Sequence, residues 1–185
     1  MSHNTQQISF KYSPYWRKVS PWRDDCDCPE DDPCIEGIFF DDPDVDEGVC
    51  LSELLSGRVK VGIPNYLRQS LIRSLQASGK KISEEYLNAA IDELSRTPPV
   101  PWIQHNEWPV CCGDFCQYLG ELGKLPEEIE PIVEATTLWE LTDETSRQKF
   151  TDAQSLWNCV NSGWCSGFLF ECAVCKKRVV IIQSY

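Results

Sequence analysis

The stretch Phe168-Leu169-Phe170-Glu171-Cys172-Ala173-Val174-Cys175-Lys176-Lys177-Arg178-Val179-Val180-Ile181-Ile182 decides the reading of this chain. It runs strand, Cys-x-x-Cys, strand. A two-residue gap lets both thiolates point to one side of a tight turn, where backbone N–H groups can support their charge. Lys176, Lys177 and Arg178 follow at once and would offset the formal −2 of a tetrathiolate zinc site. Such a hairpin is a zinc knuckle, but it is only half a site, because structural zinc takes four ligands.

Cys112-Gly113-Asp114-Phe115-Cys116 offers the other half, with a glycine that permits a close turn. We therefore expect Cys112, Cys116, Cys172 and Cys175 to form one four-cysteine Zn2+ site that ties the middle of the chain to its C-terminal hairpin. The competing reading is that these are small buried apolar residues or disulfides. A thioredoxin-like redox role is disfavoured, since that motif precedes a helix and here a strand follows. Catalytic zinc is disfavoured too, because four thiolates leave no open position.

The chain holds 11 cysteines, an odd number that excludes complete internal pairing. In a reducing cytosol so many thiols suggest metal ligands more than a disulfide frame. Cys26, Cys28, Cys34 and Cys50 are candidates for a second metal site, but their spacing follows no usual structural pattern, which weighs against an intact ion there. Cys159 and Cys165 read as core or incidental residues.

The formal charge of the 185 residues is −12, and it is local. Asp24 to Glu47 holds 12 of the 29 acids and no Lys or Arg, leaving 17 acids to balance the 17 bases elsewhere. General nucleic-acid binding is disfavoured, since phosphates would be repelled. No apolar run approaches the roughly 20 residues needed to span a bilayer. The polar N-terminus lacks the layout of a secretory signal. A cytoplasmic protein is the expectation.

Residues 1–23 mix Phe10, Tyr12, Tyr15, Trp16 and Trp22 with bases and read as a packed arm. The acidic segment reads as a loop with a short strand at Ile35 to Phe40; the hand-shaped calcium pattern is absent. Leu67, Leu71, Ile72 and Leu75 recur at helical spacing from Asn65 to Ser78. Ser83 is placed to cap a second helix, with Glu84 and Glu85 in its first turn where the dipole favours acids. Further helices are expected at 127–135 and 143–158. The domain reading is one compact unit made of an arm with the acidic cysteine segment at 1–50 and a helical, zinc-knuckle body at 51–185. The fold class is α+β.

The segments Trp102–Trp108, Cys112–Gly120 and Phe168–Cys175, with Phe10-Lys11-Tyr12 and Pro14 near the start, resemble the bacterial CbrC family, a small cysteine-rich family whose name is linked to colicin tolerance. The order and spacing match over roughly residues 96–176. The family's histidine before the middle cysteine stands here as Cys111. Cys26 and Cys28 correspond to its first N-terminal cysteine element, and Cys50-Leu51-Ser52-Glu53 to its second, with one cysteine missing. The resemblance implies a zinc-tied fold more firmly than an activity.

The function expected is a zinc-stabilised, non-enzymatic binding protein, in the manner of a cytosolic immunity or tolerance protein that neutralises a basic antibacterial toxin. Asp41, Asp42, Asp44, Asp46 and Glu47 would form the charged face, and Phe39 and Phe40 the apolar anchors. The bland alternative for those acids is a solvated loop. The runner-up is a zinc-dependent enzyme or regulator using His105, Glu107 and Asp114 near the metal. His105 beside Glu107 is otherwise a hydrogen-bonded structural histidine.

Overall fold

A computed structural model describes residues 8–23, 27–30, 32–36 and 48–185. Cys26, Phe39, Phe40, Asp41, Asp42, Asp44, Asp46 and Glu47 lie outside the described residues. In chain order the elements are α1 (Trp16–Val19), β1 (Cys34–Ile35), β2 (Val49–Cys50), α2 (Leu51–Ser56), α3 (Asn65–Ala77), α4 (Glu84–Ser95), β3 (Val110–Cys111), β4 (Asp114–Phe115), β5 (Gln117–Glu121), α5 (Ala135–Leu141), α6 (Glu144–Arg147), α7 (Ala153–Asn161), β6 (Cys165–Glu171) and β7 (Arg178–Ser184). This mixture of helices and small antiparallel sheets is an α+β fold.

The centre is the antiparallel sheet β5-β6-β7. Its strands carry near-continuous apolar runs because both faces are covered, so alternate residues enter two different cores. Phe168, Phe170, Ile181 and Tyr118 join Leu67, Leu71 and Leu75 of α3, Leu87 and Leu94 of α4, Trp102 and Trp108. Leu169, Val180, Ile182 and Leu119 face the other way, against Leu138 of α5 and Leu156 of α7. Register follows the pattern: Phe168 opposes Ile181, and Leu169 opposes Val180. A one-residue slip would exchange the two cores' side chains. Trp102 stacks on Phe170 at 5.8 Å and meets Phe168 edge-on at 5.1 Å.

The N-terminal arm is packed. Trp16 and Phe10 build a smaller core with Ile35, Val49, Leu51 and Leu54, while Tyr12 is buried in the main core. Tyr118 N–H donates to the Tyr12 carbonyl at 2.8 Å, which sets the arm against β5. Helices α3 and α4 fall where the periodicity places them, and the Ser83 hydroxyl accepts from Tyr86 N–H at 3.4 Å.

Two expected helices are corrected. Residues 127–134 are irregular, because Pro131 would leave a helix interior short of an N–H and clash with the preceding turn. Residues 143–158 are two helices, α6 and α7, each opened by a capping aspartate: Asp143 accepts from Thr145 N–H, and Asp152 accepts from Ser155 N–H. The strand expected from Ile35 begins at Cys34, and its continuation to Phe40 lies outside the described residues beyond Glu36.

Candidate metal centre

The group of four cysteines is Cys111, Cys112, Cys172 and Cys175, whose sulfurs all lie within 4.8 Å of one another. The Cys111 sulfur is 3.8 Å from that of Cys112 and 3.6 Å from that of Cys175. Four sulfurs at about 2.3 Å around a tetrahedral zinc would be about 3.8 Å apart, so the set fits such an ion.

Two turns present these sulfurs. Strands β3 and β4 pair through Cys111 and Asp114, leaving Cys112 and Gly113 as a two-residue turn. Both turn residues have positive φ, 52° and 78°, as a primed hairpin turn requires. A cysteine in that conformation costs about 1–2 kcal/mol, a cost that ligation of its sulfur would offset. Gly113 is required: a Cβ there would come within 2.7 Å of Leu75 Cδ2. The opposite turn joins β6 to β7. Lys176 sits at φ 61° and donates its N–H to the Cys172 carbonyl at 3.0 Å, and Cys172 N–H donates to the Lys177 carbonyl at 2.9 Å.

The helical hairpin clamps the first turn. Ser74 Oγ accepts from Gly113 N–H, Tyr86 Oη donates to the Gly113 carbonyl, and Lys80 Nζ donates to the Cys112 carbonyl. Tyr12 Oη donates to Asp114 Oδ1 at 2.7 Å, and Lys11 pairs with Asp114 Oδ2 at 2.7 Å. The backbone N–H of Lys177, followed by the neighbouring thiols, lowers the exposed Cys175 thiol to about 7. Desolvation raises that of Cys111 above its ordinary value.

The group contains Cys111 and not the expected Cys116. Cys116 lies beyond the hairpin and is buried in the aromatic core, where Trp108 Nε1 donates to its carbonyl at 2.7 Å. Burial, then the nearby Cys172 and Cys175, pushes its thiol up to about 12. The signal for Cys111 was in the resemblance, whose histidine, itself a common zinc ligand, falls at that position.

Cys28, Cys34 and Cys50 form a second group within 4.8 Å, with the Cys28 and Cys50 sulfurs 3.1 Å apart. Cys34 faces Cys50 across the β1–β2 pair, which brings together residues far apart in sequence. Their expected companion Cys26 lies outside the described residues. Cys159 and Cys165 are not incidental thiols: they form a disulfide joining α7 to β6, a pairing that reducing compartments disfavour.

None of His105, Glu107 and Asp114 joins either group. His105 pairs with Glu107 at 2.9 Å. Fully buried Gln183 organises that loop: its Oε1 accepts from Ile103 and Gln104 N–H, and its Nε2 donates to the His105 carbonyl and to Glu107 Oε2. Asp114 is engaged by Tyr12, Lys11 and its neighbour's N–H. No helix among the described residues is long and apolar enough to cross a membrane.

A family model described as Uncharacterised protein family (UPF0167) matches residues 9–184. No curated protein and no solved structure matches the chain.

Proposed function

We propose that this chain, which belongs to the UPF0167 family, is a zinc-stabilised binding protein whose acidic segment docks a basic protein partner, such as an antibacterial toxin. The observation that carries the reading is the closed set of four sulfurs from Cys111, Cys112, Cys172 and Cys175. A tetrathiolate ion has no position left for water or substrate, so it serves the fold rather than a reaction. Zinc rather than a harder ion suits an all-sulfur set.

The charge distribution supplies the partner's chemistry. Toxins that cut nucleic acid are basic because they bind phosphate, and an acidic surface can steer onto them and occupy that face. Asp41, Asp42, Asp44, Asp46 and Glu47 would carry the attraction, with Phe39 and Phe40 as anchors; a soluble site of action in the cytoplasm belongs to the same reading. The test is co-expression with toxin genes encoded beside this one. Survival and a salt-sensitive complex are expected; no protection and no binding against any neighbouring toxin would overturn the reading.

A second reading, a zinc-dependent enzyme or regulator, draws on the three-sulfur group Cys28, Cys34 and Cys50. Three protein ligands plus water is the arrangement of catalytic zinc. X-ray absorption on the unaltered protein separates the two: an average of four sulfurs per metal favours a second structural ion with Cys26, and an average below four with oxygen in the shell favours the enzyme.

A further inference from the structure

On the far side of the sheet from the cysteine quartet is a cleft of about 660 Å³. One wall is the irregular segment after β5, with Leu122, Leu125, Pro126, Ile129 and Ile132; the other is the last turn of α7, with Trp157, Val160 and Asn161. The volume is that of a small-molecule site, and apart from Glu127, Asn161 and Gly123 the lining side chains are apolar. The prolines hold the first wall in shape, because their φ angles are fixed before a ligand arrives.

Charge selects the occupant. Glu127 lines the cleft at its exposed rim; its charge is felt by Lys18, whose ammonium is hydrogen-bonded to Glu128 instead. Glu130 and Glu134, exposed on the same segment, are without an ion pair among the described residues. The bases nearby are already matched: Lys18 pairs with Glu128 at 2.6 Å, and Lys124 with Glu121 at 2.9 Å. Val160 and Asn161 close α7, so the negative end of that helix dipole also meets the cleft. Trp157 also lines the cleft and offers an aromatic surface for an apolar body.

We propose that this cleft binds a small organic cation with an apolar body, its ammonium set against Glu127 and its body against Trp157, Ile129 and Val160. The site is separate from the metal centre and does not depend on the function proposed above.

The test uses the full, metal-loaded chain and three probes of nearly equal shape: 4-phenylbutylammonium, 4-phenylbutanol and 4-phenylbutyrate. Binding is followed by the Trp157 indole resonance, assigned with Trp157→Phe. The ammonium should bind about tenfold or more tightly than the alcohol, with butyrate weakest. Glu127→Gln should bring the ammonium to the alcohol's affinity. Val160→Trp should fill the cleft and abolish binding of all three, with circular dichroism and metal content unchanged. Equal affinities, an unmoved Trp157 resonance, or an unaltered preference in Glu127→Gln would overturn the proposal. A dimer whose second copy fills the cleft and excludes the probes would also overturn it, as would a lysine-rich apolar peptide that binds there while the ammonium does not.

Discussion

The two cysteine groups show two ways of assembling ligands. In the C-terminal group each pair of sulfurs sits on or beside one hairpin turn, and two hairpins meet. Local geometry therefore sets each half: positive φ at Cys112 and Gly113 on one side, and at Lys176 on the other. In the N-terminal group, Cys34 and Cys50 meet only because two-residue strands pair across the acidic segment. The turn-placed sulfurs border the main core, where Cys172 itself is buried, so a change there reaches the whole fold. The strand-placed sulfurs lie on the pair whose Ile35 and Val49 enter only the smaller core.

That contrast predicts a ranking. The largest effect is expected from Cys172→Ser. If the quartet holds a structural zinc, its loss forfeits on the order of 10 kcal/mol, which exceeds or consumes the stability of an ordinary domain. The far-UV signal and the zinc stoichiometry should fall together. Native zinc content in this variant would break the comparison. Cys50→Ser should be milder: one equivalent of metal lost, the quartet's metal kept, and unfolding beginning in the core of Phe10, Trp16 and Leu54. Hydrogen exchange reads this directly, since amides of 49–61 should lose protection while those of 165–184 keep it.

Next is Gly113→Ala. The added Cβ meets Leu75 and must adopt φ near 78°, a cost of about 2–4 kcal/mol. Denaturant titration should show the loss, and metal affinity should weaken because the turn presents Cys112. Gly79→Ala, also at positive φ but in open space, should cost only about 1 kcal/mol and leave the metal alone.

The smallest effect concerns a surface pair. The Lys60 ammonium, with Arg96, holds the Asp92 carboxyl below its ordinary range. A depressed carboxyl stabilises the fold above its unfolded pKa, and that contribution is lost as pH falls through the folded value. Lys60→Ala should therefore cost under about 0.5 kcal/mol at neutral pH, since the pair is well exposed, and the difference from the parent should vanish in acid. Parallel pH–stability curves would contradict it.

Much of this was legible in the residues. The runs Phe168–Phe170 and Val179–Ile182 declare strands, and the spacing of Leu67, Leu71 and Leu75 declares a helix. Three members of the quartet follow from the Cys-x-x-Cys hairpin and the cysteines near Gly113. The fourth did not, because ligand spacing rules look for two thiolates separated by a short gap. Here adjacent cysteines share the group, and they do so because Cys112 takes a left-handed conformation that its side chain does not announce. Cys116 has the conventional spacing but lies where the chain enters the aromatic core. Gln183 reads as an unremarkable strand residue until the loop it staples comes back across 80 residues. The cleft at Trp157 is built from segments distant in sequence, so no local pattern marks it.

The most direct test of the central claim is the metal content of two single variants, purified in parallel and measured by elemental analysis with X-ray absorption. If Cys111, Cys112, Cys172 and Cys175 hold the ion, Cys111→Ser should lose it or show three sulfurs, and Cys116→Ser should keep it with four. The reverse result, metal retained in Cys111→Ser and lost in Cys116→Ser, would contradict the account.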